Sequence, residues 1–303
     1  MNPSSSLPGG IFPACITPFR NGKADPGAMA ANIERWLQSG LDGVLVFGST
    51  GEYVYLSDEE RRPLLAAARR VVPSDRFFLV GCGAESTSMA LHYLQEAADE
   101  GADAALVVTP VYYTRGDTAA QRRHYTYLAD HSPIPVLLYS VSPYTAYDLP
   151  VDLILELAAH PNIVGIKDSS SDFNRLALQI RAQIPHFAVF AGSPTLIFPA
   201  LSLGAAGSIT ALANIVPEIM LGIGRAVRDG ELEQAARWQS LIIGFAHTLR
   251  PFGIAGIKAV AAHRGLLAGE PRAPLAPLPP GQTATAIAAW EQVMAQAGLP
   301  LAF

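Results

Sequence analysis

A chain of 303 residues, half of them hydrophobic, carries enough apolar material for one large α/β barrel with an appendage or for two ordinary domains, which excludes a disordered chain. Its formal net charge of −5 and its dispersed Lys and Arg offer no basic run to track a phosphate backbone, so nucleic acid is not an expected partner. The first six residues, Met-Asn-Pro-Ser-Ser-Ser, have no charged region leading into an apolar core, and no uninterrupted apolar run reaches the roughly 18 residues of a membrane span. A cytoplasmic protein with no membrane partner is expected.

Along the chain, short apolar runs alternate with longer segments of helical period. The runs predict strands at 11–16, 43–47, 77–81, 104–108, 136–139, 163–166, 187–191 and 207–209, and 163–166 has the β-branched character and length of a buried strand. Between them the pattern predicts helices near 27–39, 58–71, 86–100, 118–130, 151–159, 172–183, 194–203 and 216–229. Ser57-Asp58-Glu59-Glu60 and Ser86-Thr87-Ser88 supply side-chain oxygens for free N–H groups at two helix starts. Eight strand–helix units imply parallel crossovers, and eight is the number at which such a sheet closes into a (β/α)8 TIM barrel. The competitor is a doubly wound open sheet, but no early Gly-x-Gly-x-x-Gly turn opens a nucleotide-binding half. The barrel is expected over 1–230.

After that the alternation stops, and 231–303 reads as a C-terminal helical extension. Helices are expected at 231–249, 254–264 and 283–297, with the Pro-rich stretch 271–280 forbidding a helix between the last two. The extension either packs on the barrel or another subunit, or forms a bundle of its own. Cys15 and Cys82 lie in no paired or metal-spaced pattern and are expected to be reduced thiols.

In a parallel barrel the chemistry lies at the C-terminal ends of the strands. The residues there are Thr17-Pro18, Gly48-Ser49-Thr50-Gly51-Glu52, Thr109-Pro110-Val111-Tyr112-Tyr113, Tyr139-Ser140, Lys167-Asp168-Ser169, Gly192-Ser193 and Ile209-Thr210. They include no histidine pair, carboxylate cluster or Cys/His spacing, so no metal is expected. Lys167 follows the run 163–166 directly and precedes a polar break. A lysine there either snorkels to the surface or, desolvated, becomes partly free base and nucleophilic toward carbonyls. The Gly48–Glu52 segment is either a plain turn or a cradle in which the amides and hydroxyls of Ser49 and Thr50 hold a small carboxylate. Tyr139 has an ordinary structural alternative as a buried phenol, and Tyr112 and Tyr113 as loop packing. Their joint occurrence around one lysine favours a single site.

The GSTGE turn, the TPVYY loop, the YSV strand end and the GIKDSS lysine, in that order, resemble the pyruvate-dependent class I aldolases and lyases over essentially the whole chain. That superfamily includes dihydrodipicolinate synthase, N-acetylneuraminate lyase and 4-hydroxy-2-oxoglutarate aldolase. The resemblance implies that Lys167 forms a Schiff base with pyruvate and that Tyr139 shuttles protons. Ser49 and Thr50 correspond to the pair that holds the pyruvate carboxylate and joins the relay. Tyr113 corresponds to the relay tyrosine, often donated by the adjacent subunit, with Tyr112 as the alternative match. Ser169, Gly192 and Ile209 fall on substrate-binding positions. The implied partners are pyruvate, an aldehyde and further copies of this chain in a dimer or tetramer.

Where synthases of the superfamily carry an arginine for the aldehyde's carboxylate, this chain has Tyr144, and a phenol supplies no bidentate, charge-assisted grip. Segments such as 132–141, 160–165, 252–254 and 272–275 are similar to the 4-hydroxy-2-oxoglutarate aldolase branch. That branch is the expected one, with synthase or sugar-acid aldolase or dehydratase activity as the alternative and a keto-acid-binding barrel without catalysis as a third.

Overall fold

A computed structural model describes residue 7 and residues 9–301; the N-terminal stretch read above as lacking a leader lies outside the described residues. In chain order the elements begin with β1 (Gly10–Pro13), β2 (Phe19–Arg20), β3 (Lys23–Ala24), α1 (Pro26–Gln38), β4 (Gly43–Val46), α2 (Asp58–Val71), β5 (Phe77–Gly81), α3 (Thr87–Asp99) and β6 (Ala104–Val108). They continue with α4 (Thr118–His131), β7 (Val136–Ser140), α5 (Ser142–Thr145), α6 (Val151–Leu157), β8 (Ile163–Asp168), α7 (Phe173–Arg181), β9 (Ala188–Ala191), α8 (Ile197–Ser202) and β10 (Gly207–Thr210). The last four are α9 (Pro217–Arg228), α10 (Leu232–Leu249), α11 (Gly253–His263) and α12 (Pro280–Gln296).

Eight strands form one sheet in the order β1-β10-β9-β8-β7-β6-β5-β4. Its end strands meet where Ala14 bridges Leu45 in parallel and the Cys15 N–H donates to the Leu45 carbonyl at 2.8 Å. The result is a (β/α)8 barrel followed by C-terminal helices. By contact density the chain divides into one unit built mainly from Phe78–Ile209 and another built from Ile11–Phe77 and Thr210 onward. In the first, β5 through β10 pair in parallel and in sequence, with Leu138 opposite Ile166 and Ile166 opposite Val189 in the middle of the sheet. Strands buried on both faces need side chains that fill space on either side of the pleat, which is why these runs read as continuous apolar stretches.

The helix starts follow their caps. The Asp25 carboxylate accepts from the Ala28 N–H, Ser86 Oγ from Met89, Asp117 from Ala120 and Asp172 from Arg175. Ser57 and Glu60 form a reciprocal capping box at α2. Three departures from the sequence expectation have physical reasons. The 163–166 strand continues through Lys167 and Asp168, because both pair with β7 on one side and β9 on the other. The last helix starts at Pro280 and not at 283, since proline at a helix's first position lacks an N–H that would be unpaired anyway. An antiparallel hairpin, β2 with β3, turns at Asn21 and Gly22, whose φ values of 53° and 75° are those of a tight Asn-Gly turn.

The run Leu232–His263 has the length and composition of a membrane span. It is broken at Pro251 into α10 and α11, both of which pack on α12 while α10 also packs on α9. Cys15 and Cys82 are buried free thiols, and burial pushes the Cys15 thiol far up.

Helix α9 packs against α10 so closely that a Cβ at Gly222 would lie 1.5 Å from Trp238 Cζ3. Replacing helical glycine by alanine ordinarily gains up to about 1 kcal/mol, but here the added methyl overlaps three atoms of the half-buried indole, which must shift. Gly222→Ala is expected to destabilise the fold by about 1–3 kcal/mol, seen as a lower urea midpoint at unchanged slope.

Candidate active site

Strands β7 and β8 place Tyr139 directly opposite Lys167, and the Lys167 Nζ lies 4.5 Å from the centre of the Tyr139 ring. Both side chains are buried, at 5% and 4% exposure. Burial is the cause that lowers the Lys167 amine from 10.5 to about 7, so near neutral pH a large share of it is free base. The Tyr139 strand end is held by Thr109 at the end of β6, whose N–H and hydroxyl each donate to the Tyr139 carbonyl at 3.2 Å.

Successive strand side chains point to opposite faces, so Asp168 faces away from the side that Lys167 occupies. Its carboxylate lies 2.8 Å from Arg175 Nε and accepts from Gln179 Nε2 at 2.6 Å, from the Ser170 N–H at 2.9 Å and from the Ser170 hydroxyl at 2.6 Å. Arg175 also donates to the Leu149 carbonyl, and the Leu149 N–H donates to Ser140 Oγ at 3.2 Å. The charge next to the lysine is thus fully engaged from behind, and it ties the ends of β7 and β8 together through α7. Asp168, Arg175 and Gln179 were not singled out from the sequence. The available signal is the spacing of Arg175 and Gln179, which puts both on one face of α7.

Ser169 and Gly192 meet at the next strand end. The Gly192 N–H donates to the Asp168 carbonyl at 2.7 Å, and a Cβ on Gly192 would fall 2.0 Å from Ser169 Oγ, so only glycine admits the serine there. Ile209 is fully buried in β10. Tyr112 and Tyr113, by contrast, are 77% and 91% exposed and stand edge to face with ring centres 4.8 Å apart. Their loop is anchored from below by Glu85, whose carboxylate accepts the N–H groups of Val111 and Tyr112 at 3.0 and 2.9 Å.

In the other unit, Ser49, Thr50 and Gly51 form one turn of 3-10 helix after β4. Thr17 Oγ1 donates to the Gly51 carbonyl at 2.6 Å, and a Cβ on Gly51 would sit 2.9 Å from the Cys15 carbonyl. Phe47 and Glu52, on either side, have φ of 58° and 55°. Non-glycine residues in that region are strained and persist where surroundings impose them. Ala146 after β7 and Ser171 after β8 share it, at φ 49° and 61°, so the strain collects in loops that follow strand C-termini. Among the described residues no group of three or more His, Cys, Asp or Glu is placed to hold a metal ion.

The buried amine makes stability depend on pH. In the unfolded chain Lys167 keeps its proton up to about 10.5, whereas in the fold it gives it up near 7. Each unit corresponds to about 1.4 kcal/mol, so the wild type carries a penalty of a few kcal/mol below pH 7 that fades as pH rises through that window. Lys167→Met is therefore expected to be more stable than the wild type at pH 6, with a difference that shrinks toward pH 10, as read by urea unfolding.

The model of the Dihydrodipicolinate synthetase family matches residues 7–291. A 4-hydroxy-tetrahydrodipicolinate synthase of Exiguobacterium sp. is 34% identical over 286 residues, covering 93% of this chain and 97% of the relative. One from Methanoculleus marisnigri is 38% identical over 282 residues, covering 90% and 95%. Among solved structures, YagE, a prophage protein of the dihydrodipicolinic acid synthase family from E. coli K12 in complex with pyruvate, superposes with a TM-score of 0.89 at 29% identity, covering 95% of this chain and 99% of that one. The 4-hydroxy-tetrahydrodipicolinate synthase of Methylacidiphilum fumariolicum SolV gives 0.89 at 29%, covering 96% and 98%. With a buried lysine stacked on a tyrosine at the strand ends of a (β/α)8 barrel, and with these likenesses over nearly its whole length, the chain belongs to the dihydrodipicolinate synthetase family and is a lyase of the class I aldolase type.

Proposed function

We propose that the chain is a Schiff-base pyruvate aldolase that cleaves 4-hydroxy-2-oxoglutarate to pyruvate and glyoxylate. The observation that carries the aldolase chemistry is the Lys167 amine, buried, lowered to about 7 and stacked over Tyr139. Lys167 adds to the 2-keto carbon and water leaves, giving an iminium that draws electrons from C3. Tyr139 takes the proton of the 4-hydroxyl, the C3–C4 bond breaks, glyoxylate departs, and its electron pair becomes the pyruvate enamine. Protonation at C3 and hydrolysis return pyruvate and the free lysine. The iminium is the electron sink, so the scheme requires no external cofactor.

Ser49 and Thr50 hold the keto acid's carboxylate in this scheme, and Ser169, Gly192 and Ile209 line the substrate. Tyr113 completes the proton relay from a neighbouring subunit, with Tyr112 as the alternative. A phenol has a reference pKa near 10 and needs hydrogen-bond donors around it to accept a proton transiently. What counts against aspartate semialdehyde is Tyr144. It sits in α5 where a synthase would have arginine, 65% exposed, and offers no cation to an aspartate semialdehyde carboxylate. The support for glyoxylate, whose own carboxylate lacks that cation equally, is the likeness of segments such as 132–141 and 160–165 to the 4-hydroxy-2-oxoglutarate aldolase branch. The second reading, 4-hydroxy-tetrahydrodipicolinate synthase, is favoured by the names of the relatives.

The deciding experiment incubates the purified protein with pyruvate and glyoxylate, aspartate semialdehyde or N-acetylmannosamine, and follows which aldehyde is consumed. Glyoxylate consumption is expected; consumption of aspartate semialdehyde alone establishes the second reading. Borohydride with pyruvate should add one reduced pyruvyl mass to the wild type and none to Lys167→Ala. Tyr139→Phe should form that adduct yet turn over roughly 100- to 10,000-fold more slowly, the range of general acid–base groups.

The exposed Tyr112–Tyr113 pair supports assembly, because aromatic side chains of this size next to a catalytic face fit a subunit contact. The active unit is accordingly a dimer or a pair of dimers. Arginine in place of Tyr113 should dissociate it and abolish activity together by light scattering and assay, while Tyr113→Phe should slow turnover with the oligomer intact; a fully active monomeric wild type would remove the donated tyrosine.

A further inference from the structure

The turn that carries Ser49 and Thr50 closes on Glu52, whose N–H donates to the Ser49 carbonyl at 3.1 Å. That hydrogen bond forms with Glu52 in the left-handed region, at φ 55° and ψ 34°. For a residue with a side chain this conformation is strained, so something must hold it. The Glu52 side chain is 1% exposed and reaches residues from the far end of the chain. One carboxylate oxygen lies 2.6 Å from Lys258 Nζ, and the other accepts the Arg272 N–H at 2.7 Å.

Lys258, in α11, is itself only 2% exposed. Its ammonium donates to the Glu270 carbonyl at 3.0 Å and lies 4.4 Å from the centre of the Phe19 ring. The Arg272 guanidinium lies 4.2 Å from the same ring centre. It donates to both oxygens of Glu60 at 2.6 Å and to the Tyr55 carbonyl at 2.6 Å. Tyr55 ends the 3-10 turn that follows Glu52. Two cations from the C-terminal segment therefore fix both the carboxylate that ends the Ser49–Gly51 turn and the backbone just beyond it.

We propose that Lys258 is a positioning residue for the pyruvate carboxylate: its ion pair with Glu52 holds the Ser49–Gly51 turn in the conformation whose amides and hydroxyls receive the keto acid. This rests on the assignment of Ser49 and Thr50 made above and extends it to the C-terminal helices. The plainer role for the pair is stapling α11 to the rest of its unit. A buried ion pair is a poor staple, because desolvation consumes most of its attraction and apolar side chains of the same shape do as well or better. What a charge pair adds is direction. It aims one carboxylate at one point, and here that carboxylate belongs to the residue with the strained backbone.

The test is the pyruvate dependence of adduct formation and turnover in Lys258→Met, Lys258→Arg and the double variant Glu52→Gln/Lys258→Met. Lys258→Met should raise the KM for pyruvate at least tenfold, with turnover at saturating pyruvate within about threefold of wild type. Lys258→Arg should recover much of the affinity. The double variant, with both charges gone, should regain thermal stability while its KM stays high. A lower melting temperature with unchanged KM in Lys258→Met overturns the proposal and leaves the pair a staple. If Lys258→Met does not fold, hydrogen exchange on the wild type decides: coupling between the sites is reciprocal, so pyruvate should slow exchange in 49–55 and also in 254–262. Slowing confined to 49–55 overturns the proposal. A wild type that forms no reducible pyruvate adduct removes the site assignment and the proposal with it, an outcome distinct from all of these.

Discussion

The chemistry depends on one constraint: an amine is enclosed in a β-strand without a counter-charge on its own side. Burial alone brings Lys167 down to about 7. Had a carboxylate faced it, the attraction would have held the amine charged and removed its nucleophilicity. The strand's two-residue period keeps them apart. Lys167 shares its register position with Tyr139, whereas Asp168, one residue on, pairs with Ser140 and turns its carboxylate to Arg175 and Gln179. A lysine and an aspartate adjacent in sequence are thereby turned apart, one with its amine lowered by burial and the other held by Arg175 and Gln179.

The same division recurs at the Ser49–Gly51 turn. The residues proposed to receive the keto acid are small and neutral, while the adjoining Glu52 carboxylate is buried and held by the Lys258 ammonium and the Arg272 main-chain N–H. In both places the groups proposed to meet substrate are hydroxyls, amides or an amine, and the adjoining carboxylates, Asp168 and Glu52, are held by cations. On the proposed reading, charge behind the site gives rigidity, and neutrality in front leaves the amine and the carboxylate cradle unopposed.

The strands and most helices were legible in the sequence because a parallel barrel strand is apolar on both faces and is followed by a capped, periodic helix; 77–81 and 104–108 coincide with the observed strands. The strand carrying the lysine was read two residues short, since Lys167 and Asp168 look like a loop until their neighbours on β7 and β9 are known. The Asn21-Gly22 hairpin carried a local signal that the apolar runs on either side overshadowed. The lysine, the tyrosines and the hydroxyl turn were visible as residue types at strand ends. What holds them was not, because a pair such as Glu52 and Arg272, 220 residues apart, leaves no periodic trace in either segment.

That asymmetry has a physical origin that also bears on specificity. Residues that touch substrate are few, sit at predictable ends of elements and are chosen for chemistry, so type and place suffice to nominate them. Residues that fix their geometry are constrained only by distance in the folded chain, and many polar side chains could serve. The position proposed to bear on the choice of aldehyde lies between these cases. Tyr144 stands five residues after Tyr139, in a single-turn helix whose following residue, Ala146, is held at φ 49°. The backbone there is set by the loop, while the side chain is largely exposed. On the proposed reading, a site built this way exchanges one aldehyde partner for another through one exposed side chain, without disturbing the lysine, the tyrosine or the networks behind them.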